Sequence, residues 1–291
     1  MNLSVFYSEK QHVSDPQPGS PSPGKPDKVM ASWRERGFPI KIHPPQAATV
    51  EDLCLAHDAD YVRGVLDCSR ANGFGTRSAA VAASLPWTVG SMTSAALHAL
   101  QSGTGKGTGK SAVAVSPTSG FHHAGYAFGG GFCTFNGLIV AARKALQAGA
   151  GRVGILDLDQ HYGNGTADIL AKLELENVVQ WTLGHSAVSR GAAAVRWLEN
   201  LPELISGEFE GCGLLLYQAG ADCHIDDPLG GRFTSEQMRQ RDRVVFQTCK
   251  ALGLPVAWNL AGGYQEPIRK VLALHDQTAE ECLRVYGGEG K

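Results

Sequence analysis

The chain has 291 residues, enough for one large domain, and its 43% hydrophobic and 19% charged residues are the balance of a globular protein with a substantial core. A net charge of −2, with no cluster of Lys and Arg, speaks against a nucleic-acid surface, and no apolar run is long enough to span a bilayer. The first residues, MNLSVFYSEK, lack the basic and apolar regions of a secretory leader. The seven cysteines are scattered and form no C-x-x-C pair. Neither a disulfide framework nor a thiolate metal site is therefore expected, and the expected setting is the reducing cytoplasm.

Taken in chain order, residues 14 to 27 (DPQPGSPSPGKPDK) read as a Pro/Gly/Ser-rich surface loop, and residues 102 to 110 (SGTGKGTGK) as a Gly-rich loop. Beyond residue 110, short runs of branched apolar residues recur: SAVAV (111–115), VGILDL (153–158), VVQWTL (178–183), LLLYQAG (214–220) and VAWNL (256–260). Helix-length segments lie between them, among them 135–147 and 235–252. Such alternation predicts a mostly parallel sheet flanked by helices in a three-layer α/β arrangement. The first hundred residues should add further helices and a sheet edge. One domain over 1–291 is expected.

The polar clusters fall where those runs end. Gly120-Phe121-His122-His123 follows the first, Asp157, Asp159 and His161 the second, Asp222 the fourth, and Gly262-Gly263-Tyr264 the fifth. In a parallel sheet the loops after the carboxyl ends of strands converge on one crevice, where ligands bind. On an extended segment, residues i and i+2 point the same way, so Asp159 and His161 can share a ligand. A carboxylate and an imidazole suit zinc, and Asp222 is the natural third donor, leaving one position open for water. The adjacent His122 and His123 suit proton transfer beside such a water, and the Tyr264 hydroxyl suits stabilisation of an oxyanion.

Two other patterns carry less. SGTGKGTGKS has the look of a phosphate loop, but Thr104 stands where its first Gly belongs and a strand-like run follows. GHSAV (184–188) resembles a serine nucleophile elbow, but Val188 replaces the Gly that the strained turn needs.

The segment SPTSGFHHAGYAFGGGFCTFNGLIVAAR resembles the histidine-pair region of the histone deacetylase and acetylpolyamine amidohydrolase superfamily. ILDLDQHYGNGTADIL resembles its metal strand, QAGADCHIDDPLGGRFTSEQM its third-ligand region, and LAGGYQ its Gly-Gly-Tyr signature. HDADYVRGVLD (57–67) is a weaker match upstream. The resemblance implies the arginase–deacetylase-like fold and a zinc-dependent deacylase with one catalytic Zn²⁺; zinc is the default, and the same two-Asp, one-His site could accept Fe(II) or Co(II). It implies Asp159, His161 and Asp222 as ligands and His123 as general base, then acid. His122, oriented by Asp157, would support it electrostatically, with Asn164 partnering His123 and Tyr264 on the substrate carbonyl. Gly131 and Phe132 would line the substrate tunnel. Asp157, Asp159, His161 and Thr182 would surround a structural monovalent cation such as K⁺. The implied partner is an acylated amine or acyl-lysine peptide, with no nucleic acid or membrane, and self-association is left open.

Departures from the pattern bear on substrate choice. The stretch from His185 to Gly213 is short, Tyr162 replaces a histidine, and Leu229 stands where polyamine-selective relatives can carry an acid. An apolar Leu229 tilts the expectation toward acyl-lysine over acetylpolyamines. A catalytically silent acyl-lysine binder would have lost a ligand, His123 or Tyr264, and this sequence retains them all.

Overall fold

The computed structural model describes residues 2–14, 17–103 and 112–287. Seven strands form one sheet: β1 (Leu3–Phe6), β2 (Ile40–His43), β3 (Val113–Ser119), β4 (Val153–Asp157), β5 (Val178–Thr182), β6 (Leu214–Gly220) and β7 (Val256–Ala261). Their order is β2-β1-β3-β7-β6-β4-β5, and every neighbouring pair is parallel. The five apolar runs of the sequence are β3 to β7. The added edge is β1 with β2, whose IKIH sequence is half exposed and gives little apolar signal.

The near-continuous apolar runs reflect burial on both faces, because successive side chains alternate between them. From β6, Leu215, Tyr217 and Ala219 enter one core, while Leu214 and Leu216 enter the other. The first core is closed by α1 (Lys25–Glu35), α7 (Ala192–Glu208), α8 (Ser235–Ala251) and α9 (Arg269–Gly287). The second is closed by α3 (Ala59–Leu66), α4 (Ala79–Gly103), α5 (Gly137–Gln147) and α6 (Asn164–Lys172); a single turn, α2 (Val50–Leu53), precedes them. Among the described residues, no helix is long and apolar enough to cross a membrane.

One loop expectation needs correction. The Pro-rich stretch does not stay at the surface: α1 begins at Lys25, and Ser20, Ser22, Lys25 and Pro26 are buried. Pro at the first turn suits a helix start, since its missing N–H has no helical partner there in any case. Asp15 and Pro16 of that stretch, and residues 104 to 111 of the phosphate-loop lookalike, lie outside the described residues.

Candidate active site

The four central strands, β3, β7, β6 and β4, end side by side, and their loops carry every polar cluster singled out above. Asp159 and His161 do come together, but through a turn and not along a strand. β4 stops at Asp157, and the Asp159 carboxylate then accepts the His161 backbone N–H at 2.9 Å. That local bond competes with strand pairing and folds the loop back. The His161 Nδ1 lies 3.1 Å from Asp159 Oδ1 and 3.0 Å from Asp222 Oδ2. One donor atom from each of the three residues falls within 4.8 Å of the others.

The donor set fits a divalent cation. Asp159 and Asp222 are buried carboxylates sharing one imidazole. Burial, and then the neighbouring Asp159, push the Asp222 carboxyl up to about 7. Burial also opposes ionisation of Asp159, but the adjacent His122 and the bonds from His161 outweigh it and hold its carboxyl low. A cation between the two carboxylates relieves the repulsion that otherwise retains a proton. Gly262 makes room for this: a Cβ there would lie 2.3 Å from Asp222 Cγ, and its φ of +49° suits glycine.

The paired histidines have different partners. His122 is buried, and its Nδ1–H donates to Asp157 Oδ2 at 2.7 Å. Burial lowers its basicity, but Asp157 and Asp159 more than compensate and raise its pKa to about 9. His123 Nδ1–H donates to Asn164 Oδ1 at 2.5 Å, and α6 starts at that Asn164. Burial, then the charge of His122, lower the His123 pKa. The two rings are thus pushed in opposite directions, His122 toward the protonated form and His123 toward the neutral one, with centroids 4.0 Å apart.

Tyr264 follows β7. Its backbone N–H donates to Asp227 Oδ2 at 2.8 Å, while Asp227 Oδ1 accepts from Leu229 N at 3.0 Å. The Tyr264 ring faces Phe132 at 5.8 Å, and burial raises its phenol well above the ordinary value. The space a side chain at Gly131 would need is filled by the His123 ring. Leu229 is 48% exposed beside this group, and Tyr162, at 40%, packs edge-on against His185. The residues expected around a monovalent cation make internal bonds. Thr182 Oγ1 accepts from Gly163 N at 3.3 Å, and Asp157 Oδ1 accepts from Gln218 Nε2 at 2.9 Å. Ser186 of the elbow lookalike donates to Leu183 O at 2.7 Å and accepts from Arg232. Among the described residues, no histidine hydrogen-bonds its hydroxyl.

Sequence reasoning missed three residues. Lys25 is fully buried and donates to the Gly262 carbonyl; burial lowers its pKa to about 8, against the pull of Asp222 and Asp159. Asp227 ties Tyr264 to Leu229. Arg232 reaches Gln160 Oε1 at 3.1 Å and Leu183 O at 3.0 Å. Asp227 lies in the quoted third-ligand segment and was within reach; Lys25 was hidden by the loop-like composition around it.

Residues 21–183 match the profile of the histone deacetylase domain, a span that includes both histidines and the metal strand and ends before Asp222 and Tyr264. An uncharacterized protein of Picosynechococcus sp. is 30% identical over 276 residues, 85% of this chain and 87% of that protein. The acetylpolyamine amidohydrolase of Mycoplana ramosa is 29% identical over 178 residues, 51% of this chain and 52% of that enzyme, so the match spans about half of the relative's length. The crystal structure of the HDA15 HD domain superposes with a TM-score of 0.78 at 19% identity, covering 100% of this chain and 90% of that one. The seven-stranded parallel sheet with helices on both faces is thus the arginase–deacetylase fold.

Proposed function

The chain belongs to the histone deacetylase family, and on that premise we propose that it is a zinc-dependent amidohydrolase that removes acyl groups from acylated amines, acyl-lysine foremost. The observation that carries this is a pair of adjacent histidines with different partners, His122 on Asp157 and His123 on Asn164, beside three clustered metal-ligating side chains. Asp159, His161 and Asp222 would hold the ion, which when bound supplies Lewis acidity and lowers the pKa of its water.

The remaining steps belong to the chain's own residues. His123, with Nδ1 fixed by Asn164, presents Nε2 to take the proton of the attacking water and then returns it to the leaving amine. His122 stays protonated on Asp157 and adds positive charge where the carbonyl oxygen becomes negative. Tyr264, kept protonated by burial, donates to that same oxygen. Gly131 and Phe132 line the approach, with Leu229 at its rim. Asp157, Asp159, His161 and Thr182 would be the residues to hold a structural monovalent cation, and residues 1–291 act as one catalytic domain in the cytoplasm.

The likeness to the Mycoplana ramosa enzyme favours a second reading within the family, acetylpolyamine hydrolysis. Both are tested on the purified full chain by elemental analysis together with a panel of acyl-lysine peptides and acetylated polyamines, with and without chelator. One transition metal per chain and chelator-sensitive hydrolysis are expected. Hydrolysis untouched by chelator in a protein without transition metal sinks the assignment; binding without turnover indicates an acyl-lysine binding protein.

A further inference from the structure

Beneath the candidate ligands lies a polar layer that the proposed reaction does not use. Arg241, on α8, is fully buried. Its Nη1 donates to Gly220 O at 2.8 Å and to Leu158 O at 3.2 Å. Leu158 immediately precedes Asp159, and Gly220 lies two residues before Asp222. The guanidinium therefore grips both ligand-bearing loops at their roots.

The place it grips is where the sheet opens. The β4–β6 register ends at Asp157 and Gln218, closed by Leu158 N–H donating to Gln218 O at 3.1 Å. Beyond that pair the β4 chain turns toward the site, while β6 runs on beside β7 to Gly220 before its own loop begins. Gly220 lets them stay close, because a Cβ there would lie 2.5 Å from Asp159 Cα. Arg241 then links the two carbonyls across the fork, and Cys223 Sγ adds a contact to Leu158 O at 3.1 Å.

The side chain is itself held. Its Nε donates to Asp242 Oδ1 at 2.8 Å, and Asp242 accepts from the Tyr217 hydroxyl and from Thr278 Oγ1 at 2.6 Å. A capping box starts the helix: Thr234 Oγ1 accepts from Gln237 N and Gln237 Oε1 from Thr234 N. Core stabilisation alone would be a poor reason for this arginine, since its Nη2 is buried without a hydrogen-bond partner among the described residues and replacing a buried ion pair by apolar groups is often neutral or stabilising. A planar fork of N–H donors does suit two carbonyls on separate loops, which a lysine cannot grip with the same geometry.

We propose that Arg241 is a positioning residue: by fixing the roots of both loops it sets the spacing of Asp159 and Asp222 and holds the metal site preformed. This rests on the metal-centre reading of Asp159, His161 and Asp222. Partners that orient metal ligands typically contribute about 10–100-fold in affinity, so Arg241→Lys should weaken Zn²⁺ binding by about that factor in competition with a chromogenic chelator. Thr278→Val is the structural control. It loosens Asp242 without touching the two carbonyls, so it should lower the melting temperature and leave Zn²⁺ affinity within about 3-fold, well short of that effect.

Amide hydrogen exchange supplies a readout that needs no metal. In the metal-free wild type, residues 158–160 and 220–222 should already exchange slowly, and Arg241→Lys should speed them selectively. Wild-type Zn²⁺ affinity in a folded Arg241→Lys protein with a lowered melting temperature would overturn the proposal, leaving Arg241 a core ion pair. Should that variant not fold, the wild type decides. Exchange at those residues changing less than about 3-fold on Zn²⁺ loading is expected, and slowing by about 100-fold, meaning that the ion itself builds the site, overturns it. Failure of the wild type to bind Zn²⁺ sinks the metal reading, while the exchange comparison still tests the clamp.

Discussion

His57 links acid stability to the loop that carries the histidine pair. It is 1% exposed, its Nδ1 lies 2.8 Å from Gly125 O, and its Nε2 accepts the Asn136 N–H at 2.8 Å. The second bond fixes the tautomer: Nε2 carries no proton, so Nδ1–H donates. A proton added to Nε2 would meet the Asn136 N–H and strand a charge in the core, and burial accordingly lowers the pKa to about 4 from an ordinary 6.5. The unfolded chain takes up a proton below pH 6.5 that the folded chain refuses until about pH 4. The contribution is therefore whole above 6.5 and shrinks as pH falls, by about 1.4 kcal/mol per pH unit. A difference of about 2.5 units amounts to roughly 3 kcal/mol in all. Urea unfolding of the wild type and His57→Gln at about pH 7.5, 6 and 5 measures it, in chelator so that the metal site does not differ. Gln can keep a donor and an acceptor but does not titrate, so the variant's deficit should shrink by about 1.4 kcal/mol for each unit below 6.5. A deficit independent of pH would refute the reasoning.

Three further outcomes follow from the same contacts. Tyr264→Phe should lower turnover by about 10²–10³-fold and His123→Ala by at least about 10²-fold, with metal content unchanged by elemental analysis. Asp157→Asn should cost about 1–3 kcal/mol of stability in denaturant titration and lower turnover, because Asp157 accepts from His122, Gln218 and the Asp159 backbone, and an amide nitrogen would face one of these donors. Leu229→Glu should raise the ratio of acetylpolyamine to acyl-lysine kcat/KM by about tenfold: two charges about 4 Å apart at an effective dielectric near 20 interact by roughly 4 kcal/mol before desolvation, and about 1.4 kcal/mol surviving suffices.

The sheet was legible because a strand buried on both faces must be apolar at nearly every position, and β4 and β6 are. The candidate site residues stood out because they sit at strand ends and recur in recognisable segments, and the fold brings Asp159, His161 and Asp222 together. Less visible were residues whose burial comes from distant parts of the chain. Lys25 reads as part of a loop until α1 packs it under the Gly262 carbonyl. Arg241 lies in RQRDR, which reads as a solvated charged face. Helical spacing does carry a signal there: Met238, Arg241, Asp242, Val245, Phe246 and Cys249 follow the i, i+3, i+4 rhythm of a buried stripe, and Arg239 and Arg243 flank it, paired with Glu281 of α9. A charged pair falling on apolar positions marks a core task for those charges. The turn at Asp159 was hidden for a different reason, since it depends on a side chain bonding its own backbone two residues on.

The charges at the sheet end explain why these hidden residues matter. Asp157, Asp159, Asp222 and Asp227 are all buried at one end of the sheet. Such a cluster is stable only if cations face it from inside the protein. His122 answers Asp157, and Lys25 faces Asp159, Asp222 and Asp227 from α1. Arg241 lies below, its charge already shared with Asp242. These cations still leave the Asp222 carboxyl pushed up to about 7 by burial and then by Asp159, which leaves a need for more positive charge beside the pair. His161 alone cannot fill it, because one imidazole brings a single charge and spends Nδ1 on both carboxylates at once. A divalent ion would bring two charges to the same three donors. The burial of the two carboxylates and the clustering of the three donor atoms thus both suit such an ion.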